Sequence, residues 1–113
     1  MATQRIASGQ TPPGATAWQV YSATGIFVDI DTTAGKFSSA PVYITSIGGR
    51  TNHWSTTGAT SIYPTPATPP APPVHYATAT GFRVYVRWAN SGPLTPATAN
   101  SYGWHINWIG MEI

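Results

Sequence analysis

The sequence holds only three acidic side chains, Asp29, Asp31 and Glu112. Asp29 and Asp31 stand two apart in a stretch that alternates like a strand, so they share a face. Glycoside hydrolysis uses two carboxyl groups roughly 5 to 10 Å apart, and this pair falls at the near end of that range. The simpler role is pairing with Arg83, Arg87 or water on the exposed face of a neighbouring strand, and it is the favoured one. His53, His75 and His105 lack metal-ligand spacing and could meet only through folding or on a trimer axis. Serine and threonine abound, but no Gly-x-Ser-x-Gly elbow is present. Gly48-Gly49-Arg50 is too short for a phosphate loop and lacks the lysine and the helix. The expectation is a protein without catalysis, metal or cofactor.

Binding chemistry is better supplied. Asn52-His53-Trp54, Trp88-Ala89-Asn90 and Trp104-His105 each set an indole beside a hydrogen-bonding group. Sugar recognition uses this mixture: the C–H face of the ring stacks on an aromatic, while amides, imidazole and guanidinium reach the hydroxyls. The candidate ligand contacts are Arg50, Asn52, His53, Trp54, Trp88 and Asn90. Trp88, Trp104 and Trp108 lie on the apolar side of their strands, so at least two of them belong to the core, Trp108 foremost. Trp54 has no such alternation and is the better exposed candidate.

These residues hang on a series of short strands. Phe82, Val84, Val86 and Trp88 alternate with Arg83, Tyr85 and Arg87, the period of a strand with one dry and one wet face. Trp104, Ile106 and Trp108 repeat the pattern against His105 and Asn107. Ile26, Val28 and Ile30 alternate with Phe27, Asp29 and Asp31. Residues 18–21 and 42–47 read as further strands, the latter entered through Pro41, where a strand tolerates proline. Residues 50–63 read as a loop followed by a short strand ending at Ile62-Tyr63. Residues 64–73 contain six of the 11 prolines and read as a polyproline-like surface loop. Thr95-Pro96 opens a helix of one or two turns, with threonine as cap and proline at its first position. Residues 1–17 read as a loose N-terminal segment, and residues 18–113 as one antiparallel β-sandwich of about six to eight strands.

Composition limits the partners. Charged residues make up 7% of the 113 and aromatics 12%, whereas about a quarter charged is usual. Five cations (Arg5, Lys36, Arg50, Arg83 and Arg87) are scattered, and the net charge is +2. A nucleic-acid backbone calls for a clustered basic stripe, so that partner is excluded. So little charge beside five tryptophans and six tyrosines points to a surface partly hidden in a homo-oligomer. There is no cysteine, hence no disulfide or thiolate site. No apolar run approaches the roughly 18 residues of a membrane helix, and the first residues lack the core of a standard signal peptide. The expectation is a soluble protein, exported by another route or part of a larger surface or particle protein.

Three pieces of the chain, in order, resemble the H-type lectin domain: Phe37-Ser38-Ser39-Ala40-Pro41-Val42, then Thr80-Gly81-Phe82 through Trp88, then Ile106-Asn107-Trp108-Ile109. The likeness spans roughly residues 18–113. It implies a trimeric antiparallel sandwich that binds galactose or N-acetylgalactosamine between protomers. In that family a Trp-His pair, an arginine from the preceding strand and an early aspartate hold the sugar. Trp88 matches the tryptophan. The histidine position is Ala89, Arg50 lies in a loop ahead of the expected strand, and no aspartate precedes Asp29. The fold therefore carries over better than the site, and a sugar would be held by other residues such as Asn52, His53 and Trp54. The alternative reading is a trimeric structural or receptor-binding tip of a larger fibre or tail-like assembly.

Overall fold

The computed structural model describes residues 5–63 and 78–112. Its centre is the pairing of β3 (Gly25–Asp31) with β7 (Gly81–Trp88), antiparallel, with Ile26 opposite Val86, Val28 opposite Val84 and Ile30 opposite Phe82. The two apolar combs of the sequence thus merge into one dry face, and all six side chains are buried. Strand β2 (Gln19–Ser22) flanks β3. On the far edge of β7 lie two short pieces, β5 (Thr56–Thr57) and β6 (Ile62–Tyr63). They behave as one edge strand interrupted at residues 58–61, where the Ser61 N–H donates to the Gly58 carbonyl at 3.0 Å. Gly58 has φ +100°, and a Cβ there would stand 2.6 Å from the Tyr85 carbonyl oxygen. Only glycine fits a left-handed backbone this close to the next strand.

A second sheet of three strands, in the order β1 (Ile6–Gln10), β8 (His105–Met111), β4 (Val42–Gly48), packs against the first. The β1 strand corrects the expectation of a loose segment over residues 1–17: Ile6 through Gln10 pair in register with Met111 through Asn107. Gly9, which reads as a breaker, sits opposite Trp108, and a Cβ there would fall 2.6 Å from its indole nitrogen. The glycine makes room for the ring. Trp108 is consequently half-buried against the core, while Trp104 is the indole that is fully enclosed.

Tyr43 of β4 ties the two sheets together. Its hydroxyl shares a 2.6 Å hydrogen bond with Thr32 Oγ1, just past β3, and donates at 2.7 Å to the Thr78 carbonyl, just ahead of β7. Burial of the ring raises the Tyr43 pKa, and the Thr32 hydrogen bond partly opposes this. The short helix α1 (Pro96–Ser101) forms where expected, with Thr95 Oγ1 accepting from the Thr98 N–H at 3.2 Å. The proline-rich loop at 64–73 and His75 lie outside the described residues.

Among the described residues, eight strands in two antiparallel sheets and one short helix make this a small all-β domain. Each sheet keeps an outer face. On the three-stranded sheet the register aligns Ile6, Met111 and Val42 in one row, Ser8, Ile109 and Ile44 in the next, and Gln10, Asn107 and Ser46 in a third. Ile6, Val42 and Ile44 are exposed, and none of the nine side chains is charged.

Candidate functional site

The sequence-derived candidates gather at one end of the sandwich. The loop after β4 carries Arg50, Asn52, His53 and Trp54, Trp88 ends β7, and Asn90 lies in the turn that follows. Hydrogen bonds lace these segments together: Ala89 N–H to the Ser55 carbonyl at 2.8 Å, Trp104 Nε1 to the Thr51 carbonyl at 2.8 Å, and Arg50 N–H to the Tyr102 carbonyl at 2.9 Å. Several polar atoms are consumed in doing so. Arg50 Nη2 donates to the Ser101 carbonyl at the end of α1. Trp88 Nε1 donates to the Pro93 carbonyl at 3.0 Å, and its ring meets Trp104 edge-on at 5.0 Å. Asn90 Oδ1 accepts from the Gly92 N–H at 2.9 Å, an Asx turn just past the end of β7. Asn52, at φ 64°, starts a single 3₁₀ turn, His53–Ser55. That turn lifts Trp54 into solvent, 69% exposed, with the His53 ring edge-on to it at 5.3 Å. Of the six candidates, Arg50, Trp54 and Asn90 are exposed, while Asn52, His53 and Trp88 are half-buried, and Trp54 is the large aromatic that this end presents outward.

A more enclosed site lies on the outer face of the larger sheet. It is an open groove of about 600 Å³. Its lining includes Tyr21, Tyr63, Tyr85, Arg87, Ser22 and Ser61. Tyr85 occupies the middle of β7 on the wet side of the alternation. Tyr21 from β2 stands edge-on to it at 5.0 Å and Tyr63 from β6 edge-on at 5.1 Å. Two edge-on rings thus flank a central one, an arrangement that aromatic quadrupoles favour. Tyr21 is displayed where β2 loses regular register between Val20 and Ser22. Tyr63 is delivered by the interruption at Gly58. The groove lies next to the loop end, because the row containing Gly25, Arg87 and Thr57 is one step below the row of Trp88 and Thr56.

The charges of this face are unequal. Arg83 forks onto Asp29, Nε to Oδ1 at 2.6 Å and Nη2 to Oδ2 at 2.9 Å, and its guanidinium lies 4.0 Å over the Phe27 ring. The Asp29 hydrogen bond raises the Arg83 pKa further, against the smaller effect of burial. Asp31 turns away to accept from the Thr33 hydroxyl and N–H, which lower its pKa. Glu112 accepts from the Ser38 N–H at 2.5 Å and is also within reach of its hydroxyl. Arg87 is exposed and has no ion-pair partner among the described residues.

Asp29 and Asp31 therefore follow the ion-pair and turn-forming roles open to strand carboxylates. His105 Nδ1 lies 3.1 Å from the Gly103 carbonyl. Among the described residues no three His, Asp or Glu side chains come together as a metal site, and no helix is long and apolar enough to cross a membrane. The tyrosine groove was missed in the sequence because Tyr21 and Tyr63 belong to strands of four and two residues. The wet-face alternation of Arg83, Tyr85 and Arg87 was the one available sign of it. Comparison with known proteins finds no matching family, no matching curated relative and no matching solved structure.

Proposed function

We propose that this chain is a non-catalytic, lectin-like carbohydrate-binding module that takes galactose-type or related glycans and works as a homo-oligomer, a trimer by the H-type lectin resemblance. The observation that carries this reading is the groove in which Tyr85 is flanked by Tyr21 and Tyr63 with serine hydroxyls alongside. A sugar presents a C–H face and a rim of hydroxyls, and such a groove offers stacking surface and hydrogen-bonding partners to both. Trp54, with Asn52 and His53 at the adjoining loop end, adds a second aromatic contact for a longer glycan. The uncharged outer face of the three-stranded sheet supports self-association, since exposed Ile6, Val42 and Ile44 are costly to leave in water. Several weak sites on one particle then act together through effective concentration.

That same apolar face favours the second reading, a structural or receptor-binding tip, because assembly serves it whether or not a sugar binds. A glycan array separates the two. The purified protein should bind a defined set of sugars, and binding should be lost in Tyr21→Ala and Tyr63→Ala, both on exposed edge positions. A blank array from a folded oligomer would replace the lectin reading with the assembly one.

A further inference from the structure

We infer that the tyrosine groove selects acidic sugars, specifically glycans bearing a carboxylate such as hexuronates, and that Arg87 is the group that receives the anion. This rests on the carbohydrate-binding reading above and narrows its ligand. The argument begins with a count. The chain has three acidic side chains in all, and each is engaged away from Arg87: Asp29 on Arg83, Asp31 on Thr33, Glu112 on Ser38. No side-chain carboxylate is left to neutralise Arg87. Arg83, on the same strand and the same face, shows the contrast. Its guanidinium is already forked onto Asp29 and stacked on Phe27.

Arg87 lines the groove together with Tyr85. Two residues along a strand advance about 6.7 Å on one face. Arg87 lines the groove and Arg83 does not, so a pyranose lying in the groove beside Tyr85 reaches a guanidinium when its exocyclic carbon is directed along the strand toward Arg87. In a hexuronate that carbon is the carboxylate, held rigidly on the ring and suited to a guanidinium fork. In a neutral hexose it is a hydroxymethyl group, which gives the same arginine a weaker, uncharged acceptor. Ser61 lines the groove for the ring hydroxyls, beside Ser22, whose Oγ already accepts from the Thr24 N–H at 3.2 Å.

Calorimetric titration of the intact oligomer tests this with three probes of equal length: a galacturonate trisaccharide, a neutral galactose trisaccharide and a sulfated galactose trisaccharide. A charge-assisted hydrogen bond contributes enough to make the galacturonate bind about tenfold more tightly than the neutral sugar. In Arg87→Gln that preference should fall to about one, the galacturonate losing about tenfold more affinity than the neutral sugar. Arg5→Gln, which removes an exposed cation elsewhere, should leave the preference unchanged and control for overall charge. Arg87 is exposed and has no ion-pair partner among the described residues, so its replacement should keep the parent melting temperature. Equal binding of acidic and neutral sugars overturns the inference and leaves the lectin reading standing. A preference that survives in Arg87→Gln overturns the role of Arg87. A preference for sulfate over carboxylate overturns the ligand class. Absence of binding to every probe and to the glycan array overturns the inference and the lectin reading together.

Discussion

Replacing Tyr43 with phenylalanine removes one oxygen and two cross-sheet hydrogen bonds. The hydroxyl shares a 2.6 Å bond with Thr32 and donates at 2.7 Å to the Thr78 carbonyl. The ring is 6% exposed and Thr32 is wholly buried, so water cannot readily replace what is lost. Thr32 Oγ1 keeps only its longer bond to the Ala79 carbonyl at 3.3 Å. Leaving buried polar groups short of a partner costs about 1–3 kcal/mol. At roughly 4 °C per kcal/mol for a domain of this size, a loss of about 2 kcal/mol lowers the melting temperature by about 8 °C. Differential scanning calorimetry at one fixed protein concentration reads this without interference from subunit dissociation. Tyr85→Phe is the control: among the described residues its hydroxyl meets Arg83 Nη1 alone, at 3.5 Å, and the change should cost less than about 0.5 kcal/mol. Alkali gives a second readout. Burial raises the Tyr43 pKa above its ordinary 10.0. The folded state therefore holds this proton more tightly than the unfolded one. The corresponding stability is complete below pH 10.0 and is lost as pH rises through the folded value. Parent protein should lose melting temperature above that pH more steeply than Tyr43→Phe. A variant that melts within 2 °C of the parent, about half a kcal/mol by the same conversion, would refute the cross-sheet role.

Ile44→Lys places a charge in the centre of the apolar outer face, where Ile44 is 55% exposed. Light scattering should find the parent near three times the 12.0 kDa chain and the variant at one; a monomeric parent would remove the assembly claim. Gly58→Ala must fit a Cβ 2.6 Å from the Tyr85 carbonyl at φ +100°. It should cost more than about 1 kcal/mol in denaturant unfolding and should weaken sugar binding by displacing Tyr63. Trp54→Ala, at an exposed position, should change stability by less than about 0.5 kcal/mol while reducing binding to extended glycans. Unchanged glycan binding would restrict the site to the groove.

What could be read in the sequence was what local alternation encodes. Ile26, Val28 and Ile30 and the β7 comb predict their own strands because each residue's face follows from its parity. Thr95-Pro96 likewise carries its own cap. The β1 strand was hidden because Ile6-Ala7-Ser8-Gly9-Gln10 has little apolar alternation. Its pairing partner lies about a hundred residues away, and its glycine serves the Trp108 ring rather than a turn. At the loop end, residue type singled out Arg50, Trp88 and Asn90 as ligand contacts. Type alone does not tell whether a polar atom is used up by a nearby carbonyl or N–H. The groove depends on register: Tyr21, Tyr63 and Tyr85 become neighbours only once β2, β3, β7 and β6 are aligned.

The central claim is that glycans bind in the tyrosine groove, and the most direct test is backbone amide chemical-shift mapping during titration with a galactose-type trisaccharide, neutral and uronate forms in turn. The account expects the largest shifts at Tyr21, Tyr63, Tyr85 and Arg87, with smaller ones reaching Trp54. Saturating shifts confined to the outer face of the three-stranded sheet, or no shifts with any sugar, would contradict it.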